Sequence, residues 1–121
     1  MASKILVIDD NSDTRELLHL YFTRAGFDVI TAVDGRDGLD RTQAAQPDLI
    51  ITDLTMPNMD GIEMMKHLRS DPQTADIPVI VITAYGSASR DQLAEARVER
   101  VVYKPFDFEG LIQIIREALG R

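Results

Sequence analysis

Residues 4–10 read KILVIDD, an apolar run that ends in two adjacent aspartates. The run contains the β-branched residues Ile5, Val7 and Ile8 without polar alternation, which is typical of a strand buried on both faces of a sheet. Further apolar runs end in residues that can handle metal ions or phosphate, namely Asp53, Thr83 and Lys104. Because the carboxyl ends of parallel strands share one edge of a sheet, we expect these side chains to converge there.

Helical segments separate these strands. Asn11 and Ser12 offer caps for a first helix, whose apolar residues follow at helical spacing until Gly26 ends it. The complete pattern predicts strands at residues 4–9, 27–32, 48–53, 77–83 and 101–104. Helices are predicted after Ser12, over residues 35–45, around Ile62, Met65 and Leu68, over residues 89–97, and from Phe108 to Leu119. This alternation predicts an α/β protein, a doubly wound five-stranded parallel sheet with five helices on two faces.

The composition indicates one globular domain, which we expect to span residues 1–121. Hydrophobic residues make up 45% of the chain and charged residues 27%, which argues against disorder. The chain has no cysteine, which excludes a disulfide, a thiolate nucleophile and a zinc–sulfur site. The net charge of -7 disfavours direct binding to nucleic acid or to an anionic membrane. Since no apolar stretch approaches the roughly 20 residues of a membrane span, we expect a cytoplasmic protein.

Asp9 and Asp10 are adjacent, so their side chains reach one crevice only where the strand ends. Asp10 alone is also compatible with the start of a helix cap. Asp53, at the end of a neighbouring strand, brings further like charge, and a pair about 4 Å apart costs roughly 1 kcal/mol in water and roughly 4 kcal/mol at a dielectric of 20. The cluster therefore predicts a bound cation. Oxygen ligands without His or Cys select a hard ion such as Mg²⁺.

Thr83 and Lys104 have ordinary explanations when each is taken alone. A strand threonine commonly satisfies its hydroxyl locally, and a lysine is commonly solvated at the surface. Together with the acids, however, they suit a phosphoryl group: the hydroxyl donates to one oxygen and the ammonium neutralises another. In that interpretation the carboxylate of Asp53 is the nucleophile and forms an acyl phosphate.

Four short motifs then stand in order along the chain: residues 8–10 (IDD), 53–61 (DLTMPNMDG), 83–84 (TA) and 104–106 (KPF). Together they resemble the receiver domain of two-component response regulators, as found in chemotaxis regulators, over nearly the whole chain. The resemblance implies a flavodoxin-like sheet with strand order 2-1-3-4-5. It also implies that Asp53 is the phosphoacceptor. Thr83 and Lys104 would be phosphoryl ligands that drive a conformational switch.

The same resemblance implies a Mg²⁺ site. Asp10, Asp53 and the backbone carbonyl of Thr55 would bind the ion directly, and Asp9 would act through water. The bond between Lys104 and Pro105 is expected to be cis, as in many such domains, although only about 5–6% of X–Pro bonds in folded proteins are cis.

Several positions depart from the receiver pattern or modulate it. Receivers commonly carry an aromatic residue where this chain has Val101, so the usual rotamer switch is not expected here. Tyr103 lies on the same strand face as Val101 and could replace that aromatic, or could simply pack against a helix. Thr55 and Tyr85 occupy the positions two residues after Asp53 and Thr83, which flank the path of a hydrolytic water in receivers. Neither orients water well, so slow self-dephosphorylation is expected.

The sequence therefore predicts a signalling module. It would accept phosphate from a histidine kinase or a phosphotransfer protein and then change its affinity for a downstream protein, as a single-domain regulator or a phosphorelay intermediate. We expect it to catalyse only its own phosphorylation and slow dephosphorylation, and so not to be an enzyme in the usual sense. The alternative is a phosphohydrolase of the haloacid-dehalogenase type, which needs a second aspartate where this chain has Thr55. A flavin-binding protein is a third reading, but the chain lacks a hydroxyl- and glycine-rich loop after its first strand.

Overall fold

Five parallel strands form a single sheet in a computed structural model that describes residues 2–84 and 86–120. The strands are β1 (Lys4–Ile8), β2 (Asp28–Ala32), β3 (Leu49–Thr52), β4 (Val79–Thr83) and β5 (Arg100–Tyr103). They lie in the order β2-β1-β3-β4-β5, and every neighbouring pair is parallel. The predicted parallel sheet and its strand order are confirmed.

Five helices alternate with the strands in the described part of the chain. They are α1 (Ser12–Arg24), α2 (Gly35–Ala45), α3 (Gly61–Ser70), α4 (Arg90–Glu95) and α5 (Phe108–Gly120). The prediction for α4, residues 89–97, was too long at its end. Ala96 caps the helix, and the next residue, Arg97, has a left-handed backbone with φ of 55° that cannot continue it. Among the described residues, none of the helices has the length and apolarity needed to cross a membrane.

The core consists of two apolar layers, one on each face of the sheet. Alternate strand residues such as Leu6 and Ile50 face α2, α3 and α4, where Met64 and Met65 are fully buried. The intervening strand residues, such as Ile5 and Ile80, pack on the other face against α1 and α5. Full burial of a side chain of this size is worth about 1.5–3 kcal/mol. Burial on both faces explains why the three central strands, β1, β3 and β4, are largely apolar. The edge strands β2 and β5 are only partly buried and carry more polar residues.

The register of the strands brings their carboxyl ends to one edge. Ile8 pairs with Thr52 of β3, and Thr83 pairs with Tyr103 of β5. The residue that follows each of these strands therefore lies at the same edge, as expected for in-register parallel strands. This edge carries Asp9, Asp53 and Lys104, which directly follow β1, β3 and β5.

Candidate functional site

The carboxylate of Asp53 is held by three hydrogen-bond donors directly after β3. Its Oδ1 accepts from the backbone N–H groups of Leu54 at 2.6 Å and Thr55 at 3.2 Å. Its Oδ2 accepts from Nζ of Lys104 at 2.8 Å. The Asp53 side chain is 12% exposed, whereas that of Lys104 is 39% exposed. Asp53 is thus a fixed carboxylate that reagents at the sheet edge can still reach.

Lys104 reaches Asp53 from the end of β5. Its backbone N–H donates to the carbonyl of Thr83 at 3.0 Å, and the peptide bond that joins it to Pro105 is cis. Partial burial lowers the pKa of Lys104, but its hydrogen bond to Asp53 and the negative charges of Asp53, Asp9 and Asp10 outweigh that effect and raise the pKa overall. The ammonium therefore stays charged beside the carboxylate.

Asp9 is a buried acid at the end of β1. Its Oδ1 accepts from the backbone N–H of Asn11 at 2.9 Å. Burial raises the pKa of the Asp9 carboxyl above its usual value, and the charges of Asp53 and Asp10 raise it further, against the lowering effects of the Asn11 hydrogen bond and the Lys104 charge. Asp53 and Asp10 are therefore close enough to Asp9 for their charges to act on it. This group of hard oxygen donors fits a divalent cation such as Mg²⁺.

These acids do not form a complete metal cage on their own. In the described part of the chain, no group of three or more acidic, histidine or cysteine side chains is arranged to hold an ion as it stands. Asp53 Oδ2 is engaged by Lys104, and Asp10 is exposed beyond the end of β1. A cation here would therefore need further oxygen ligands. The backbone carbonyl of Thr55 and water are of the right chemical type.

Thr83 carries an unsatisfied hydroxyl at the end of β4. The residue is only 2% exposed, and its Oγ1 has no hydrogen-bond partner among the residues that the structure describes. A buried polar atom without a partner costs about 1–3 kcal/mol. This cost is relieved when a ligand accepts a hydrogen bond from the hydroxyl, as a phosphoryl oxygen would. The unpartnered hydroxyl thus points to a site that is completed by an anion.

The four residues expected to modulate the site differ in their placement. The side chain of Thr55 is exposed, and Tyr85 lies outside the described residues. Val101 is half-buried against the core layer beneath α4. Tyr103 is 43% exposed and lines the same surface groove beside α4 as Val101. Tyr103 therefore shares the face of Val101, and much of its side chain remains accessible to solvent.

Two contacts near the site were missed by the sequence analysis. Nη1 of Arg15 donates to the backbone carbonyl of Asp9 at 2.7 Å and ties α1 to the end of β1. Nδ2 of Asn58 donates to Oδ2 of Asp34 at 2.8 Å and ties the loop after β3 to the start of α2. The only available signal was the Pro-Asn pair at residues 57–58, which is typical of a turn and does not identify a partner.

The chain matches known proteins along most of its length. The response regulator receiver domain family matches residues 5–116. The DNA-binding dual master transcriptional regulator RpaA of Synechocystis sp. is 39% identical over 119 residues, which are 98% of this chain and 49% of that protein. Hybrid signal transduction histidine kinase D of Dictyostelium discoideum is 39% identical over 109 residues, 89% of this chain and 7% of that protein. The chain spans less than half the length of either relative.

The fold is also that of a solved structure of the same class. Chemotaxis response regulator CheY4 of Vibrio cholerae superposes with a TM-score of 0.92 at 31% identity, covering 98% of this chain and 100% of that one. The sequence match, the strand order and the placement of the acidic edge agree with each other. The chain therefore belongs to the response regulator receiver domain family, whose members are modules of two-component signalling and not classical enzymes.

Proposed function

We propose that Asp53 accepts a phosphoryl group from a phosphohistidine of a histidine kinase or phosphotransfer protein, in a Mg²⁺-dependent reaction. The observation that carries this proposal is the pairing of Asp53 with Lys104 beside the unpartnered hydroxyl of Thr83. One carboxylate, one ammonium and one free hydroxyl donor match what an aspartyl phosphate requires: a nucleophile, a counter-charge and a hydrogen-bond donor.

In the proposed step, a carboxylate oxygen of Asp53 attacks phosphorus and forms an acyl phosphate. The P–N bond to the donor histidine breaks, and the imidazole leaves with the electron pair and takes up a proton. Lys104 keeps its positive charge beside the new phosphoryl oxygens, and Thr83 Oγ1 donates to one of them. Mg²⁺, held by Asp10, Asp53 and the Thr55 carbonyl with Asp9 acting through water, would supply charge neutralisation for the transferring group.

The phosphorylated state would differ from the unphosphorylated state in affinity for a downstream protein. The phosphoryl group gives Thr83 and Lys104 a common ligand, so it favours the arrangement in which the ends of β4 and β5 close on the site. The groove beside α4, which Val101 and Tyr103 line, adjoins these strand ends. In this proposal, a partner protein distinguishes phosphorylated from unphosphorylated Asp53 by the altered groove.

We propose protein partners and not nucleic acid for residues 1–121, taken as a single receiver domain. DNA binding is stated for RpaA, of which this chain spans 49%. The net charge of -7 repels a phosphate backbone. We also propose a cytoplasmic location, where histidine kinases phosphorylate their receivers, and no direct contact with a membrane.

A haloacid-dehalogenase-type phosphohydrolase is the second candidate for a strand-end aspartate with Mg²⁺. That chemistry needs a carboxylic acid two residues after the nucleophile to protonate the leaving group. This chain has Thr55 there, and a hydroxyl is too weak an acid for the role. Repeated turnover of a generic phosphomonoester would support this candidate over the receiver function.

The decisive experiment is incubation with acetyl phosphate and Mg²⁺, followed by mass spectrometry to locate the phosphate. We expect one phosphate on Asp53 and none in Asp53→Asn, which preserves the shape of the side chain and removes its nucleophilic charge. Omission of Mg²⁺ should suppress the reaction. Phosphate on another residue, or none with a competent histidine kinase, would contradict the proposal.

A further inference from the structure

The loop between β3 and α3, residues 53–60, contains the backbone carbonyl proposed to bind Mg²⁺. Its first residues are held by Asp53, whose Oδ1 accepts from the N–H groups of Leu54 and Thr55. Its end is closed by the N–H of Gly61, which donates to the carbonyl of Leu54 at 2.9 Å. Between these two anchors, the side chain of Asn58 makes a hydrogen bond to another element.

Asn58 contacts the residue that caps α2. Its Nδ2 donates to Oδ2 of Asp34 at 2.8 Å. The other oxygen of the same carboxylate, Oδ1, accepts from the N–H of Asp37 at 2.8 Å and caps the first turn of α2. One carboxylate therefore serves two purposes: one oxygen begins the helix, and the other holds the loop.

The loop backbone is shaped to make this contact. Asn58 has a φ of 70°, in the left-handed region where asparagine is among the residues most readily accommodated. A Cβ atom added at Gly35 would clash with the carbonyl oxygen of Met59, so the loop rests directly on the first turn of α2. Only glycine at position 35 allows this approach. The contact between Asn58 and Asp34 is thus part of a close, specific interface.

We infer that Asn58 is a positioning residue, whose hydrogen bond to Asp34 fixes the loop so that the Thr55 carbonyl is held ready for a divalent cation. This inference rests on the proposed Mg²⁺ site. A carbonyl on a free loop must be ordered when the ion binds, whereas one on an anchored loop has already lost that freedom. Residues that orient metal ligands typically change metal affinity about 10-fold or more when they are removed.

Two substitutions each remove the hydrogen bond between Asn58 and Asp34 and leave the neighbouring structure intact. Asn58→Gly removes the amide and keeps the positive φ without strain. Asp34→Ser keeps a good capping oxygen for α2 and lacks the second oxygen that Asn58 needs. Asp40→Ser is the matched control, because it removes an exposed acid from α2 and with it the same charge.

Mg²⁺ titrations of the four proteins and of the Asn58→Gly, Asp34→Ser double variant, followed by amide NMR shifts of residues 53–56, 58 and 59, test the inference. We expect each single variant to bind Mg²⁺ about 10-fold more weakly, with no further loss in the double variant and little change in Asp40→Ser. Hydrogen exchange at the Thr55 and Met56 amides without Mg²⁺ should accelerate in both single variants.

The outcomes distinguish this inference from the proposed function. Unchanged affinity in both single variants overturns the positioning role alone. Losses that add in the double variant also overturn it, because Asn58→Gly would then act through loop flexibility and not through Asp34. Failure of the wild-type protein to bind Mg²⁺ overturns the proposed function and the inference together.

Discussion

Nη2 of Arg69 in α3 donates to the backbone carbonyl of Arg97 at 3.1 Å, across 28 positions of sequence. The same guanidinium donates to three more carbonyls, those of Ala96, Ala75 and Ile77. Burial lowers the pKa of Arg69 from its ordinary value, and the nearby charge of Arg97 lowers it further. Arg69 therefore ties α3 to the segments before β4 and after α4.

Replacing Arg69 should destabilise the fold substantially. Arg69→Met keeps much of the apolar stem and removes all the donors, leaving partly buried carbonyls without partners. We expect a loss of about 3 kcal/mol in the free energy of unfolding, measured by urea denaturation. The control is Arg41→Met, which removes an exposed i,i+4 ion pair with Asp37 and should cost less than about 0.5 kcal/mol. Equal losses in the two variants would contradict the bridging role of Arg69.

Replacing Arg97 by glycine should stabilise the protein. Arg97 adopts a φ of 55°, and a residue with a Cβ atom pays roughly 1–2 kcal/mol in that region. We expect Arg97→Gly to raise the free energy of unfolding by about 1 kcal/mol. Arg97→Ala removes the same charge beside Arg69 and keeps the Cβ, so it isolates the backbone effect. The explanation fails if the glycine variant is no more stable than the alanine variant.

Removing one charge from the acidic edge should also stabilise the protein in chelator. Asp10 is exposed and adds to the negative charge acting on Asp9. We expect Asp10→Asn to gain up to about 1 kcal/mol by denaturant unfolding in chelator and to gain less from added Mg²⁺. Asp13→Asn, which removes an acid from the first turn of α1, should be no more stable than wild type. Lower stability of Asp10→Asn would mean that the acids do not share a site.

Replacing Lys104 or Thr83 should weaken the structural response to phosphorylation more than phosphorylation itself. Lys104→Ala and Thr83→Ala each keep the Asp53 nucleophile and remove one ligand of the phosphoryl group. We expect both to retain some phosphorylation by acetyl phosphate and to show smaller amide NMR shifts with beryllofluoride, a phosphoryl mimic, especially near the end of β4. Asp53→Asn is the control and should show no shift. Full wild-type shifts in either alanine variant would argue against a role in the switch.

The contact between Asn58 and Asp34 should be visible in the acid range. The Asp37 backbone N–H, and then the Asn58 amide, hold the pKa of the Asp34 carboxyl below its ordinary value. A lowered pKa adds stability at pH values above the ordinary value, and this stability is lost as pH falls through the folded-state pKa. In Asn58→Gly the pKa of Asp34 should move up toward its ordinary value, measured by carboxyl NMR titration. An unchanged pKa would mean that the hydrogen bond is absent in solution.

The sequence by itself determined the sheet, the alternation of helices and the residues at its edge. Strands buried on both faces must be largely apolar, so β1, β3 and β4 can be predicted from the sequence without knowing what they pack against. Since parallel strands end at one edge, Asp53 and Lys104 were expected to meet, and they do at 2.8 Å. These features depend on local pattern and on a general property of parallel sheets.

Only the tertiary structure decided which side chains bind each other across the chain. Arg69 with Arg97 and Asn58 with Asp34 are 28 and 24 positions apart, and no periodicity relates their members. The carbonyls of Ala96 and Arg97, where α4 ends, likewise meet a guanidinium from α3 that lies far away in sequence. Backbone groups carry no sequence signature, so a side chain that binds them can be identified only when the fold brings the two together.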